Sequence, residues 1–302
     1  MLGMSGCEHR VARTAVDWPT VRWPASTPEE QGFDSSALAA MLEALREQAL
    51  PIHSMLIVRD GHVVLETYFY PYVGDTPHSW ASVTKSVVSM LIGIAIEEGR
   101  IAGLDQPIAH FFPEYREALT GAKARITDGH LLKMASGLEC DYEPGEPEVV
   151  AMEAADDFVK SVVELPLAAE PGTEFAYCSG GTHLLSAILT RAVGMSALEF
   201  ARRRLFAPLG IAEVAWPADP QGVNHGWSNL RMLPRDMAKL GYLYLQRGRW
   251  RDERVLSAQW VASRRNGEST SPEMLGPTAT DGGSVRASTG VSSRRAGVAV
   301  RR

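Results

Sequence analysis

The sequence predicts an α+β fold, an antiparallel sheet flanked by helices with a largely helical second lobe. Three observations carry this. The segment from about residue 34 to 99 runs helix, β-hairpin, long apolar helix. The stretch from about 105 to 255 is mostly helical in its apolar spacing. Elements in that order pack as helices on a sheet plus a helical insertion. Two strands cannot make a stable sheet alone, so further strands are expected from the C-terminal end.

Residues 1–27 read as an irregular arm. Asp34 caps a helix with Leu38, Met41, Leu42 and Leu45 on one face, and Pro51 stops it. The β-rich runs Met55 to Val58 and Val63 to Tyr70 flank Asp60-Gly61, a dipeptide suited to a two-residue turn of positive φ. After the Pro71 to Pro77 loop, Ser82 opens a helix whose Val87, Val88, Leu91, Ile92, Ile94, Ala95 and Ile96 cover most of its circumference. Such a helix is buried on nearly all sides, and Gly99 ends it. Downstream, Thr127/Asp128 start a helix through Met134, and Phe158, Val162 and Val163 mark another. Pro171-Gly172 is a turn, and Phe175 to Cys178 is extended. Leu184 to Leu189 lie on a helix ending near Gly194, and Ser196 with Glu199 form a capping box. Pro234 sits in the first turn of a helix through Leu245, with Gly248 as its stop.

The 302 residues carry a formal net charge of -6 and are 45% hydrophobic. Length and composition fit a globular chain able to bury a substantial core. The acidic balance excludes nucleic-acid binding by charge. No apolar run reaches membrane-spanning length, and residues 1–10 lack the apolar stretch of a signal peptide. Met4-Ser5-Gly6-Cys7 resembles the end of a lipoprotein signal, which would matter only with a start further upstream; as written the chain reads as cytoplasmic. Cys7, Cys140 and Cys178 are an odd, widely spaced set, read as neither a disulfide framework nor a zinc site. No metal or cofactor is expected.

Ser82-Val83-Thr84-Lys85 is the candidate for chemistry. Residues three apart share a helix face, so hydroxyl and amine can meet. Serine needs a base to become a nucleophile. A lysine enclosed by apolar helix loses hydration and becomes a usable base. The spacing alone occurs by chance roughly once in a chain of this size, so its place before a buried helix is what singles it out. Tyr177 in Tyr177-Cys178-Ser179 can aim a phenol into a cleft and relay a proton, although a buried structural tyrosine is the commoner case. Ser179 can bind substrate, bond the Lys85 amine or simply cap the following helix. His225 lies in a loop within reach of a site and is left structural.

With these pieces placed, the chain resembles the beta-lactamase-like serine hydrolases, which include class C beta-lactamases, penicillin-binding proteins, D-aminopeptidases, esterases and nylon-oligomer hydrolases. The resemblance runs from about Thr27 to Trp260 and is densest at His53 to Tyr70, Ser79 to Gly103, Ile126 to Leu138, Pro171 to Gly181 and Pro234 to Gly241. It implies Ser82 as acylated nucleophile, Lys85 as base and Tyr177 as second proton-transfer residue. It implies a small ester, amide or beta-lactam as substrate. The family usually shows Tyr-x-Asn where this chain has Tyr-x-Ser, which leans toward an esterase or amide hydrolase.

A late strand that supplies an oxyanion-hole N–H in the family is not found. From about Gly276 the chain is rich in Gly, Ser, Thr, Ala, Val and Arg, without aromatic residues or strand alternation. Codon degeneracy lets Pro277 to Ser284 spell Tyr-Gly-Tyr-Gly-Trp-Trp-Val two bases further along. The chain is therefore read as residues 1–27 arm, 28–275 hydrolase domain and 276–302 frameshifted tail, with the C-terminal strands missing. In that case the helices at 35–49 and 83–98 lose cover, and turnover is weak. The alternative function is a homologue that binds or is acylated by ligand without turnover.

Overall fold

A computed structural model describes residues 18–140, 145–265 and 295–301, the last segment and Arg265 by backbone alone. Asp34 starts α1 (Ser35–Glu47) by accepting a hydrogen bond from Ser36 N at 2.8 Å. Strands β1 (Ile52–Arg59) and β2 (His62–Tyr68) pair antiparallel, Ile57 opposite Leu65. Asp60 (φ 48°) and Gly61 (φ 81°) make the turn. Both central residues have the positive φ that a strand-matched two-residue turn needs.

A two-residue strand β3 (His78–Ser79) precedes a single 3-10 turn, Ala81–Val83, and α2 (Thr84–Glu97) follows. Ser82 therefore lies in the tight turn before the helix rather than opening it. Eleven of the α2 residues are buried, from Thr84 to Ala95. Each fully buried Val, Leu or Ile there stabilises the fold by about 1.5–3 kcal/mol.

The helical lobe follows in order as α3 (Asp128–Leu132), α4 (Pro147–Glu153), α5 (Phe158–Glu164) and α6 (Ser179–Val193). Thr127 and His130 cap α3 reciprocally, Thr127 Oγ1 accepting from His130 N and His130 Nδ1 from Thr127 N. Helix α6 is buried from Ser179 to Leu189 and packs on α2, α3, α4 and α5. It is the hub that lets side chains from several elements converge. Gly194 (φ 68°) closes it.

Ser196 caps α7 (Ala197–Ala201), which runs through a π-helical stretch, Arg202–Phe206, into α8 (Ala207–Leu209). Strands β4 (Val214–Ala215) and β5 (Arg231–Met232) join β3 in a small antiparallel sheet ordered β3-β5-β4. α9 (Pro234–Leu245), the hairpin of β6 (Arg249–Trp250) and β7 (Glu253–Arg254), and α10 (Ala258–Arg265) complete this part.

The described part of the arm, residues 18–27, forms no helix or extended strand and packs on the domain: Trp23 is buried, its Nε1 donates to Arg235 O, and Ala25 bridges the edge of β2 at Val63. Two sequence expectations are corrected here. The tail supplies a strand, β8 (Arg295–Arg301), which pairs parallel with β1, Leu56 opposite Val298 and Val58 opposite Val300. The chain between Arg265 and Arg295 is long enough for the crossover that a parallel pairing needs. The proposed frameshift at Pro277 to Ser284 lies outside the described residues. Finally, α2 keeps its cover, because the Trp260 ring of α10 sits against Gly93, where an added Cβ would meet it at 2.6 Å. In α1, by contrast, Leu38, Met41, Leu42 and Leu45 are only half-buried.

Candidate active site

Local backbone brings the site together. Trp80 N donates to Leu230 O at 2.8 Å, and Leu230 N donates to Thr84 Oγ1 at 3.3 Å. The turn carrying Ser82 is thus stitched to the strand that follows Trp227. Ala81 stands at φ 43°, an uncommon conformation for a residue with a side chain. Such conformations cluster at active sites, where surrounding structure enforces them. The result is an exposed Ser82 beside a lysine with only 1% of its surface accessible.

Lys85 Nζ donates to Ser82 Oγ at 3.1 Å and to Trp227 O at 2.9 Å. The Tyr177 hydroxyl donates to the same Ser82 Oγ at 2.8 Å. Lys85 Nζ also lies 4.8 Å from the centroid of the Tyr177 ring. Burial pulls the Lys85 pKa down to about 7, against the upward pull of the Glu146 and Glu148 carboxylates. A free amine is then available near neutral pH at hydrogen-bond distance from a hydroxyl, the arrangement that general-base catalysis requires.

The three residues expected to carry chemistry, Ser82, Lys85 and Tyr177, are therefore brought to one point. Ser179 is not turned to Lys85, nor does it cap α6. Its hydroxyl, fully buried, donates to Glu146 Oε2. Cys178 takes the cap position instead, its Sγ accepting from Gly181 N at 3.3 Å.

Sequence reasoning also missed that Cys140 and Cys178 are joined by a disulfide, 38 residues apart in sequence. Backbone bonds from Gly172 N to Ala135 O and from Ala176 N to Met134 O, both 2.8 Å, lay the two loops side by side. The cysteine Cα atoms are consequently 5.2 Å apart, within the span a disulfide bridges. The bond anchors the residue next to Tyr177.

Trp227 was likewise not foreseen, because its contribution is a backbone carbonyl. Its indole stacks on His225 at 4.4 Å and meets His183 edge-on at 5.2 Å. His183 Nε2 lies 3.0 Å from Asp219 Oδ2 with both side chains fully buried. Asp219 Oδ1 also accepts from Gln221 N and Val223 N. His225 thus belongs to the wall behind the site, and burial lowers its pKa. Among the described residues no three His, Cys, Asp or Glu side chains are grouped to hold a metal ion.

Gly226 fixes the depth of this wall. A Cβ there would lie 2.1 Å from Thr182 O, a backbone atom of α6. Gly226→Ala is expected to destabilise the protein by about 1–3 kcal/mol and to lower activity further by moving the Trp227 carbonyl off Lys85. A denaturant midpoint and a rate measured on the folded fraction separate the two effects.

An exposed serine bonded by a buried lysine and a tyrosine, on an α+β scaffold with a helical lobe, defines the class of beta-lactamase-like serine hydrolases. The family model Beta-lactamase matches residues 38–291, and the chain belongs to that family. It is 28% identical over 254 residues to the 6-aminohexanoate-dimer hydrolase of Paenarthrobacter ureafaciens, covering 79% of this chain and 64% of that protein. It is 26% identical over 189 residues to penicillin-binding protein 4 of Amycolatopsis lactamdurans, covering 59% of this chain and 48% of the relative. The chain thus spans less than two thirds of the length of either relative. Among solved structures, the octameric penicillin-binding protein homologue from Pyrococcus abyssi superposes with a TM-score of 0.59 at 22% identity, over 76% of this chain and 60% of that one, which shows the shared fold.

Proposed function

We propose that the chain hydrolyses a small ester or amide through an acyl-enzyme on Ser82. The observation that carries this reading is the pair of hydrogen bonds on one oxygen: Lys85 Nζ at 3.1 Å and Tyr177 OH at 2.8 Å from Ser82 Oγ. The Lys85 free amine takes the Ser82 proton as Oγ adds to the substrate carbonyl. The tetrahedral adduct then expels its alcohol or amine. Tyr177 gives that leaving group a proton and regains one from the Lys85 ammonium. In the second step Lys85 takes a proton from water, the hydroxide adds to the acyl carbon, and Ser82 leaves with its proton restored. Ser82 sits in the turn just ahead of α2, whose first backbone N–H groups point toward the developing oxyanion.

The relatives' names favour an amide as the natural substrate, since a 6-aminohexanoate-dimer hydrolase and a D-aminopeptidase are both among the matches. The Tyr177-Cys178-Ser179 departure from Tyr-x-Asn leans toward an esterase or amide hydrolase rather than a beta-lactamase.

The test is turnover of a p-nitrophenyl ester and a fluorescent penicillin, with intact mass followed alongside. Activity lost in Ser82→Ala supports the enzyme, whereas turnover unchanged in that variant overturns it. A lasting adduct without product release identifies an acylated but non-hydrolytic protein. The pH profile carries its own sign. Lys85 must be neutral to accept the proton, so the rate is expected to rise with pH and reach half its plateau near pH 7. A rate that falls across that window contradicts Lys85 as base.

A further inference from the structure

Ser179 occupies the third place of the Tyr-x-Ser motif, yet its hydroxyl is spent on Glu146. Glu146 sits just ahead of α4 in the left-handed region, φ 55° and ψ 64°, although it is not a glycine. A non-glycine residue in that region is strained and persists only where its surroundings enforce it. The fully buried Ser179, two residues beyond Tyr177, is a partner that holds the Glu146 carboxylate there.

The groups facing Lys85 come from four parts of the fold. Ser82 lies in the turn before α2, the Tyr177 ring before α6, and the Trp227 carbonyl after β4. Glu146 and Glu148, ahead of and within α4, act on its charge. His183, Asp219 and His225 stand behind the Trp227 indole. When Lys85 takes the Ser82 proton, an ammonium forms in a buried place. A buried charge without an opposite one nearby is costly, and the carboxylates ahead of and within α4 are the opposite charges acting on it.

We propose that Glu146, held in place by Ser179, is a positioning residue that supplies the counter-charge for the Lys85 ammonium formed during acylation. The Tyr-x-Ser motif is then explained as the anchor of a carboxylate rather than as a direct contact to lysine or substrate. The proposal rests on Ser82 being the nucleophile and Lys85 its base.

A nearby negative charge favours the ammonium, so its loss lowers the pH at which Lys85 becomes a free base. The experiment is the rate of Ser82 labelling by a fluorophosphonate probe across pH 5 to 9, in the full chain. In that reaction Ser82 Oγ bonds to phosphorus, fluoride leaves, and Lys85 takes the proton, so no turnover is needed. Glu146→Gln is expected to move the midpoint of the acid limb down by about half to one pH unit and to lower the plateau rate. Ser179→Ala is expected to move it the same way, and the double variant no further, because the two act as one unit. Glu146→Asp is expected to restore part of the midpoint. A merely structural Glu146 would lower the rate at every pH and leave the midpoint in place, and that result in either single variant overturns the proposal. Should Glu146→Gln fail to fold, Ser179→Ala decides alone. Absent labelling of the wild-type chain, or labelling undiminished in Ser82→Ala, overturns the serine-hydrolase reading itself. Labelling at Ser82 with an unmoved midpoint overturns only the role of Glu146.

Discussion

Replacing Lys85 by methionine is expected to lower kcat/KM by about 10³-fold, within the range that a positioned general base contributes, while the fold is retained. Methionine fills a similar volume in the first turn of α2, where Lys85 is 1% exposed. The substitution removes the amine that bonds Ser82 Oγ and Trp227 O. It strands the Trp227 carbonyl, a cost of about 1–3 kcal/mol, but it also removes a buried amine whose charged form the interior disfavours. Thermal melting should therefore stay near that of the wild type while the rate collapses. Lys85→Arg would not restore activity, because a guanidinium stays protonated at any working pH and cannot act as the base. A methionine variant that keeps more than a tenth of the wild-type rate would remove Lys85 from the mechanism.

Asp128→Asn is expected to remove a loss of stability of about 4 kcal/mol that the wild-type protein undergoes between pH 4 and pH 7. Asp128 opens α3 with 0% of its surface exposed, and neither carboxylate oxygen has a hydrogen-bond partner. Burial pushes its pKa from 3.8 up to about 7. Below the unfolded value both states hold the proton, and no penalty arises. Between the two values only the unfolded chain ionises, so stability falls as pH rises. Above the folded value both states are ionised and the penalty is constant. The shift of about three units at 1.36 kcal/mol each sets the size. Asparagine has no such titration. Urea unfolding of both proteins at pH 4, 5.5 and 8 should show their stability difference widening in favour of the variant. Lys85, whose pKa is lowered rather than raised, contributes its own pH dependence above about pH 7 and cancels from the difference. A gap that does not change with pH would show that Asp128 is solvated or paired.

The parts of the fold that were legible in sequence are those encoded locally. Asp60-Gly61 announced its hairpin because two adjacent residues of positive φ are a rare demand that few dipeptides meet. The apolar run from Val87 to Ile96 announced a buried helix, and Ser82 with Lys85 could be paired because a helical turn sets their separation. Tyr177, between the Pro171-Gly172 turn and a helix, was only one candidate on local grounds and was set apart by the family resemblance. What stayed hidden depends on contacts between distant segments. Trp227 acts through a carbonyl, which every residue possesses. Cys140 and Cys178 meet because backbone bonds at Met134 and Ala176 align their loops. Glu146 reaches Ser179 from the start of α4, and neither position marks the other in the sequence. β8 pairs through backbone groups, and Arg295–Arg301 offers only two valines among small and charged residues.

In the mechanism proposed above, Ser82 forms a covalent acyl intermediate with Lys85 as its base. The most direct measurement is mass spectrometry of peptides from the full chain, acid-quenched within seconds of mixing with p-nitrophenyl acetate at pH 8. An acetyl group is expected on the peptide bearing Ser82, absent from Ser82→Ala and much reduced in Lys85→Met. Product release that continues in Ser82→Ala, or an acetyl group that maps only to other residues, would contradict the account.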